Sequence, residues 1–143
     1  MIKLTKPRTS RSLAITIAKI AQSKLATDIL ILDLRKIDSA PADFFVMCTT
    51  NNPTQSKAVF EEIYYSIKQF DISLPRYEGL DSTDWTVIDY FDVVVNIMSE
   101  KARNYYRIEK LWSDAKFLTL NEDFEAVNYD KQNLKDLFLA PIV

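Results

Sequence analysis

Apolar positions along the chain alternate between helical and strand-like spacing. From Ser12, placed to cap a helix, Leu13, Ile17, Ile20, Ala21 and Leu25 recur every three to four residues, with the lysines turned outward. "DILILDL", Asp28 to Leu34, and "FFVMCTT", Phe44 to Thr50, are short continuous apolar runs expected as buried strands, separated by a loop that holds Pro41. "NNPTQSKAVFEEIYYSIKQF" returns to helical spacing. Asn52 caps, Pro53 suits the first helical position, Gln55 completes an Asn-x-x-Gln capping box, and Val59, Ile63, Ile67 and Phe70 mark the buried face. "SLPRYEG" predicts an edge strand, because Pro75 cannot donate to a ladder.

"DWTVIDYFDVVVNIM" predicts a hairpin with Trp85, Val87 and Asp89 on one face and Thr86, Ile88 and Tyr90 on the other. Its tip is unusual. Asp89 and Asp92 bracket Tyr90 and Phe91, where turns favour Gly, Asn or Asp for their backbone angles. Either the aromatics fold onto the core or the tip meets something else, and at least one of them is expected to be partly exposed. Ser99 then caps a helix running to about Trp112. The order of elements predicts an α/β or α+β layered domain, a mixed sheet of about five strands flanked by helices. Three segments are expected: a loose basic arm over residues 1–11, the domain over 12–116, and an acidic extension over 117–143. In the extension, Leu134, Leu137 and Phe138 suggest one more helix.

Composition narrows the chemistry more than the fold. At 143 residues, 48% of them hydrophobic, one domain with an ordinary core is expected. The single cysteine, Cys48, rules out an internal disulfide framework and reads as a buried strand thiol in a reducing compartment. No apolar run approaches the ~20 residues that span a bilayer, so no membrane partner is expected. The basic start lacks a secretory apolar region, which points to the cytoplasm; its amphipathic, acid-poor character leaves an organelle transit segment as the alternative.

The net charge of −2 conceals a strong asymmetry. Residues 1–27 carry six basic side chains and no acidic one, whereas residues 28–116 carry ten basic and fifteen acidic. An acidic body is repelled by phosphate backbones, which argues against direct nucleic-acid binding as its main work; DNA is not an expected partner, and a basic protein surface is. With no histidine and one glycine, Gly79, imidazole triads, phosphate loops and dinucleotide fingerprints cannot be built. Acid pairs such as Asp33 with Asp38, or Asp89 with Asp92, are the remaining chemistry, and they read first as turn formers. No catalytic residue, metal ligand or cofactor is therefore assigned.

"ADFFVMCTTNNPTQSKAVFEEI", "RYEG", "DWTVIDYFDVVVNIM" and "RNYYRIEKLWSDA", in that order over roughly residues 12–116, resemble the ribosomal silencing factor (RsfS, Iojap-like) family. The resemblance implies a nucleotidyltransferase-like fold without the catalytic motif. It implies binding to the large ribosomal subunit through its universal ribosomal protein fourteen, steric obstruction of small-subunit joining, and lowered translation when nutrients are short. It also implies a homodimer off the ribosome.

Glu78 and Gly79 match the family's Glu-Gly, Trp85 its tryptophan, Asp89 and Asp92 its turn acids, and Tyr90 a frequent tyrosine; these six are the expected partner-binding residues. Tyr105, Tyr106, Glu109, Leu111 and Trp112 match its terminal-helix pattern. The chain departs from the family at Phe91 and Thr50, where glycine is general, and at Asn96, where histidine is. On the residues alone, Trp85 reads either as core cover or as an interface anchor, and the two acids either as solvated turn formers or as steering charges. Alternative functions are an Asp- and magnesium-dependent nucleotidyltransferase-like enzyme and an organelle assembly factor for the same subunit.

Overall fold

The computed structural model of the chain describes residues 2–82 and 84–134. Seven strands form one sheet: β1 Thr27–Asp33, β2 Phe44–Thr50, β3 Arg76–Glu78, β4 Trp85–Asp89, β5 Val93–Ser99, β6 Lys116–Leu120 and β7 Ala126–Asn128. Their spatial order is β3-β4-β5-β2-β1-β6-β7, antiparallel throughout except for the parallel pair β2 and β5. The sheet is mixed, as expected, but among the described residues it has seven strands rather than five. The two extra strands come from the segment read as an acidic extension, and the expected boundary at residue 116 falls inside β6. Of the helix expected in that extension, Lys131–Asn133 forms a single 3-10 turn and Leu134 is buried; Leu137 and Phe138 lie outside the described residues.

Helices cover both faces. α1 (Ser10–Ser23) and α2 (Pro53–Lys68) pack Leu13, Ile17, Val59 and Ile63 against Ile31, Val46, Cys48, Val95 and Ile97. α3 (Glu100–Tyr106) and α4 (Ile108–Leu111) lie over Leu30, Leu32, Met47, Met98 and Phe117 on the other face. Continuous apolar runs in β1 and β2 reflect this burial on both sides.

Local chemistry sets the helix ends. Thr9, not Ser12, caps α1: the Ser12 amide donates to Thr9 Oγ1 at 3.0 Å, and the Thr9 amide donates back to Ser12 Oγ at 3.0 Å. Asn52 caps α2 through Oδ1, accepting the Gln55 amide at 2.8 Å. Gln55 reaches one residue further back than the box requires, accepting the Asn51 amide at 2.7 Å. The expected single helix from Ser99 to Trp112 is two, because Arg107 takes a left-handed conformation (φ 48°) between them. The basic arm is not loose along its described length. Ile2 and Leu4 pack on the main core, and Pro7 is buried.

With one glycine available, left-handed backbone falls on side chains that resist it. Leu25, Asp28, Asp71, Phe91, Arg107 and Phe124 all have positive φ. Leu25 closes α1: its amide donates to Gln22 O at 3.0 Å and the Ala26 amide to Ala21 O at 3.1 Å, the pairing that glycine usually completes. Its side chain is 78% exposed, so nothing in the packing compensates. Leu25→Gly is therefore expected to stabilise the protein by about 1 kcal/mol, read as a higher urea midpoint at unchanged slope. An equal or lower midpoint would contradict the strain argument.

Cys48 lies fully buried in β2, and burial pushes its thiol from 9.0 up to about 12. Folding thus holds the thiol neutral. The stabilisation is complete below pH 9, where the unfolded thiol is also protonated, and is lost as pH climbs toward 12. Burial raises the Tyr90 phenol as well, adding to the same alkaline loss. Urea midpoints should be flat from pH 7 to 8.5 and fall beyond 9, and Cys48→Ala should reduce that fall.

Candidate functional site: an acid-edged strip on the open sheet face

On the face carrying α3 and α4, the helices stop short of the β3–β4 edge. Strand register builds two rows of side chains there. Glu78 pairs with Val87, Val87 with Asn96, and Asn96 with Met47; beside them Arg76 pairs with Asp89, Asp89 with Val94, and Val94 with Phe45. Side chains alternate along each strand, so each row presents its members on one face. Val87, Val94 and Phe45 are only partly buried, and carboxylates stand along their outer border.

Trp85 forms one end of the strip. Its indole Nε1 donates to Asn96 Oδ1 at 3.0 Å, and its ring lies 4.7 Å from that of Tyr106, tilted by 48°. It packs on the second core yet stays partly exposed, so both readings of this tryptophan hold for different parts of one side chain. Asn96 is buried. Its Oδ1 is taken by the indole and its Nδ2 has no partner among the described residues.

Gly79 sets the approach to Trp85. Its φ is +87°, and a Cβ built there would lie 2.2 Å from the Trp85 carbonyl oxygen, so only glycine fits. Gly79 O accepts Thr86 Oγ1–H at 3.1 Å and the Ser82 amide at 2.9 Å, locking the turn. The residue shapes the site rather than touching its surface.

At the hairpin tip, Tyr90 O accepts the Asp92 amide at 2.9 Å around Phe91, whose φ is +73°. Asp89 supports this three-residue turn, its Oδ1 accepting the Phe91 amide at 2.7 Å, while its Oδ2 meets Arg76 at 3.4 Å. Phe91 is 56% exposed, with the Arg76 guanidinium 5.4 Å from its ring centre. Tyr90 turns the other way. It is 7% exposed, within the α1–α2 core, and this corrects its expected place among the surface contacts. Asp92 uses its carbonyl to accept the Asp43 and Phe44 amides at 2.9 and 3.0 Å, leaving its carboxylate in solvent. Glu78 is likewise exposed on the edge strand.

Of the six sequence-expected residues, four (Glu78, Trp85, Asp89 and Asp92) border the strip. Gly79 supports them and Tyr90 is buried. Val87, Val94 and Phe45 of the same surface are not expected contacts in the sequence, because a strand residue's exposure depends on which helix stops where; Tyr106 is marked there only as part of the terminal-helix pattern. Of the other acid pair, Asp33 is held by Arg35 through bonds of 2.9 and 2.8 Å. That fork keeps the Asp33 carboxyl below the usual carboxylate range. Among the described residues, no group of three or more His, Cys, Asp or Glu side chains could hold a metal ion, and no helix is long and apolar enough to cross a membrane.

Residues 7–136 match the family model described as "Ribosomal silencing factor during starvation". The chain is 38% identical over 104 residues to the ribosomal silencing factor RsfS of Bacillus subtilis, covering 73% of this chain and 87% of that one. It is 31% identical over 109 residues to the chloroplastic protein Iojap of Zea mays, covering 73% of this chain and 45% of that longer protein. A crystal structure of a Chromobacterium violaceum protein superposes with a TM-score of 0.70 at 26% identity, covering 74% of this chain and 88% of that one. One from Bacillus halodurans gives 0.60 at 31% identity, covering 71% and 91%. This chain belongs to the ribosomal silencing factor family.

Proposed function

We propose that the protein docks the acid-edged strip on the large ribosomal subunit through its universal ribosomal protein fourteen and thereby obstructs joining of the small subunit. The observation that carries this reading is the pairing of an open apolar strip with solvent-facing carboxylates at Glu78 and Asp92 and a half-exposed tryptophan. Trp85 offers an aromatic anchor of the kind that interfaces favour. The acids complement a basic protein surface and steer its approach. Repression needs no chemistry: a body occupying the joining surface excludes the other subunit. The same strip is the face a second copy would cover off the ribosome, and the reading places the protein in the cytoplasm beside its target.

Sedimentation of the purified protein with separated subunits and with assembled ribosomes tests the reading. Binding to free large subunits, with little to assembled ribosomes, is the expected result. Raising salt should slow association, because charges at the interface rim are screened over ~8 Å at physiological ionic strength. Equal binding to assembled and free particles would refute steric exclusion.

A further inference from the structure

The charges of this protein are sorted by layer. The β3–β5 edge carries Glu78, Asp81, Asp84, Asp89 and Asp92 against the single basic side chain Arg76. Across the sheet, the arm and α1 carry Lys3, Lys6, Arg8, Arg11, Lys19 and Lys24, with no acid before Asp28. Only Lys24 of these six forms an ion pair among the described residues, with Glu62 at 3.3 Å. The neighbouring acid of α2, Glu61, has Lys57 as its partner at 3.9 Å. Five cations are left facing solvent without an ionic partner among those residues.

They are held on a surface, not in a tail. Ile2 and Leu4 insert toward Ile20 and Phe70, which line the same groove, so the intervening Lys3 turns outward, and Lys6 and Arg8 flank the buried Pro7. Arg11, Ile15 and Lys19 stand four residues apart along one stripe of α1. Arg8 and Arg11 sit at the positive end of the α1 dipole, whose first turn holds no acid. That placement is unfavourable to folding and is offset when a polyanion lies there.

We propose that the arm and the outer stripe of α1 bind the phosphate backbone of RNA. Lysine and arginine on a fixed surface recognise phosphates without reading bases. An anionic bilayer fits poorly, because the apolar face of α1 (Leu13, Ile17, Ile20 and Ala21) is already buried in the core and cannot enter a membrane. This surface lies across the sheet from the acid-edged strip. The proposal is independent of the docking reading, and it gives the protein two faces for two kinds of partner.

The test is anisotropy of a fluorescent, mixed-sequence RNA hairpin titrated with the full chain over a salt series. Binding should weaken linearly in log–log form with salt. Lys3→Gln, Lys6→Gln, Arg8→Gln and Arg11→Gln combined should reduce that slope by about 3 and low-salt affinity by roughly tenfold or more. A control carrying Lys36→Gln, Lys101→Gln, Lys110→Gln and Lys116→Gln loses the same charge from other exposed positions and should bind nearly as wild type. Melting of the arm variant should hold or rise, since cations leave the positive helix end. Trp85→Ala should bind the hairpin unchanged, which separates this surface from the strip. Three results would each overturn the proposal: no RNA binding by the wild type at low salt, equal losses in the two quadruple variants, or binding to phosphatidylserine vesicles in place of RNA.

Discussion

Trp85→Ala is expected to weaken binding to large subunits by roughly thirtyfold or more, the ~2 kcal/mol that truncating an interface anchor typically costs. Some stability goes with it, since the indole also packs on Tyr106 and the second core. Trp85→Phe separates the two contributions: it keeps an aromatic ring but leaves Asn96 Oδ1, now joined to the indole at 3.0 Å, without its donor. The phenylalanine variant should therefore recover most of the binding while still melting below wild type. Asp89→Asn with Asp92→Asn should slow association and leave melting nearly unchanged, because asparagine Oδ1 can still accept the Phe91 amide. Thermal melting beside subunit binding checks all three variants. If Trp85→Ala unfolds the domain and the paired Asp change binds normally, the strip is core structure and the docking site is elsewhere.

The largest stability effect should come from a pair buried under the second helical layer. Arg103 Nε donates to Glu109 Oε1 at 2.6 Å, with the two side chains 2% and 0% exposed. The same guanidinium donates to Thr49 Oγ1 at 2.9 Å and to the Asp28 carbonyl. It thus ties α3 to β2 and to the irregular start of β1, where register shifts between Thr27 and Leu30. Arg103→Met or Glu109→Leu alone leaves one charge buried without its counterion, costing about 3–5 kcal/mol. That is a large share of the ~5–15 kcal/mol that holds a domain folded. The double replacement should recover most of the loss but not all, since Thr49 and Asp28 still lose a donor. Urea unfolding of the four proteins gives the coupling directly. Single losses below about 1 kcal/mol would show the pair to be energetically idle.

Elements built from local chemistry were legible in the sequence. β2 runs from Phe44 to Thr50 as its apolar run predicts, and α2 begins where Asn52, Pro53 and Gln55 place it. The alternation in β4 also holds, with Thr86 and Ile88 buried and Trp85, Val87 and Asp89 half-exposed. What escaped depends on partners distant in sequence. β6 and β7 are short and polar-flanked, and pairing with β1 is what makes β6 a strand. Arg107 breaks a helical pattern that nothing near it interrupts, turning the chain so that Glu109 reaches Arg103. At the site, the acids and Trp85 were visible as residue types. Tyr90 shows the limit: alternation put it opposite Trp85, yet its place in the core comes from α1 and α2 packing on that face.

The sheet order also sets when this protein can fold. The first two strands made, β1 and β2, end up in the middle of the sheet, and each waits for a neighbour synthesised much later. β2 must hold Phe44 open for Val93, and β1 must hold Ile31 open for Leu118. Closing a loop of about 50 residues costs roughly 3.5 kcal/mol before any pairing is gained, and an isolated two-stranded unit is at best marginal in water. During synthesis the nascent chain therefore carries two apolar strands without a finished sheet until β5 and β6 have emerged. The dependence on a holding chaperone, or on the ribosome surface itself, should be greatest in that interval.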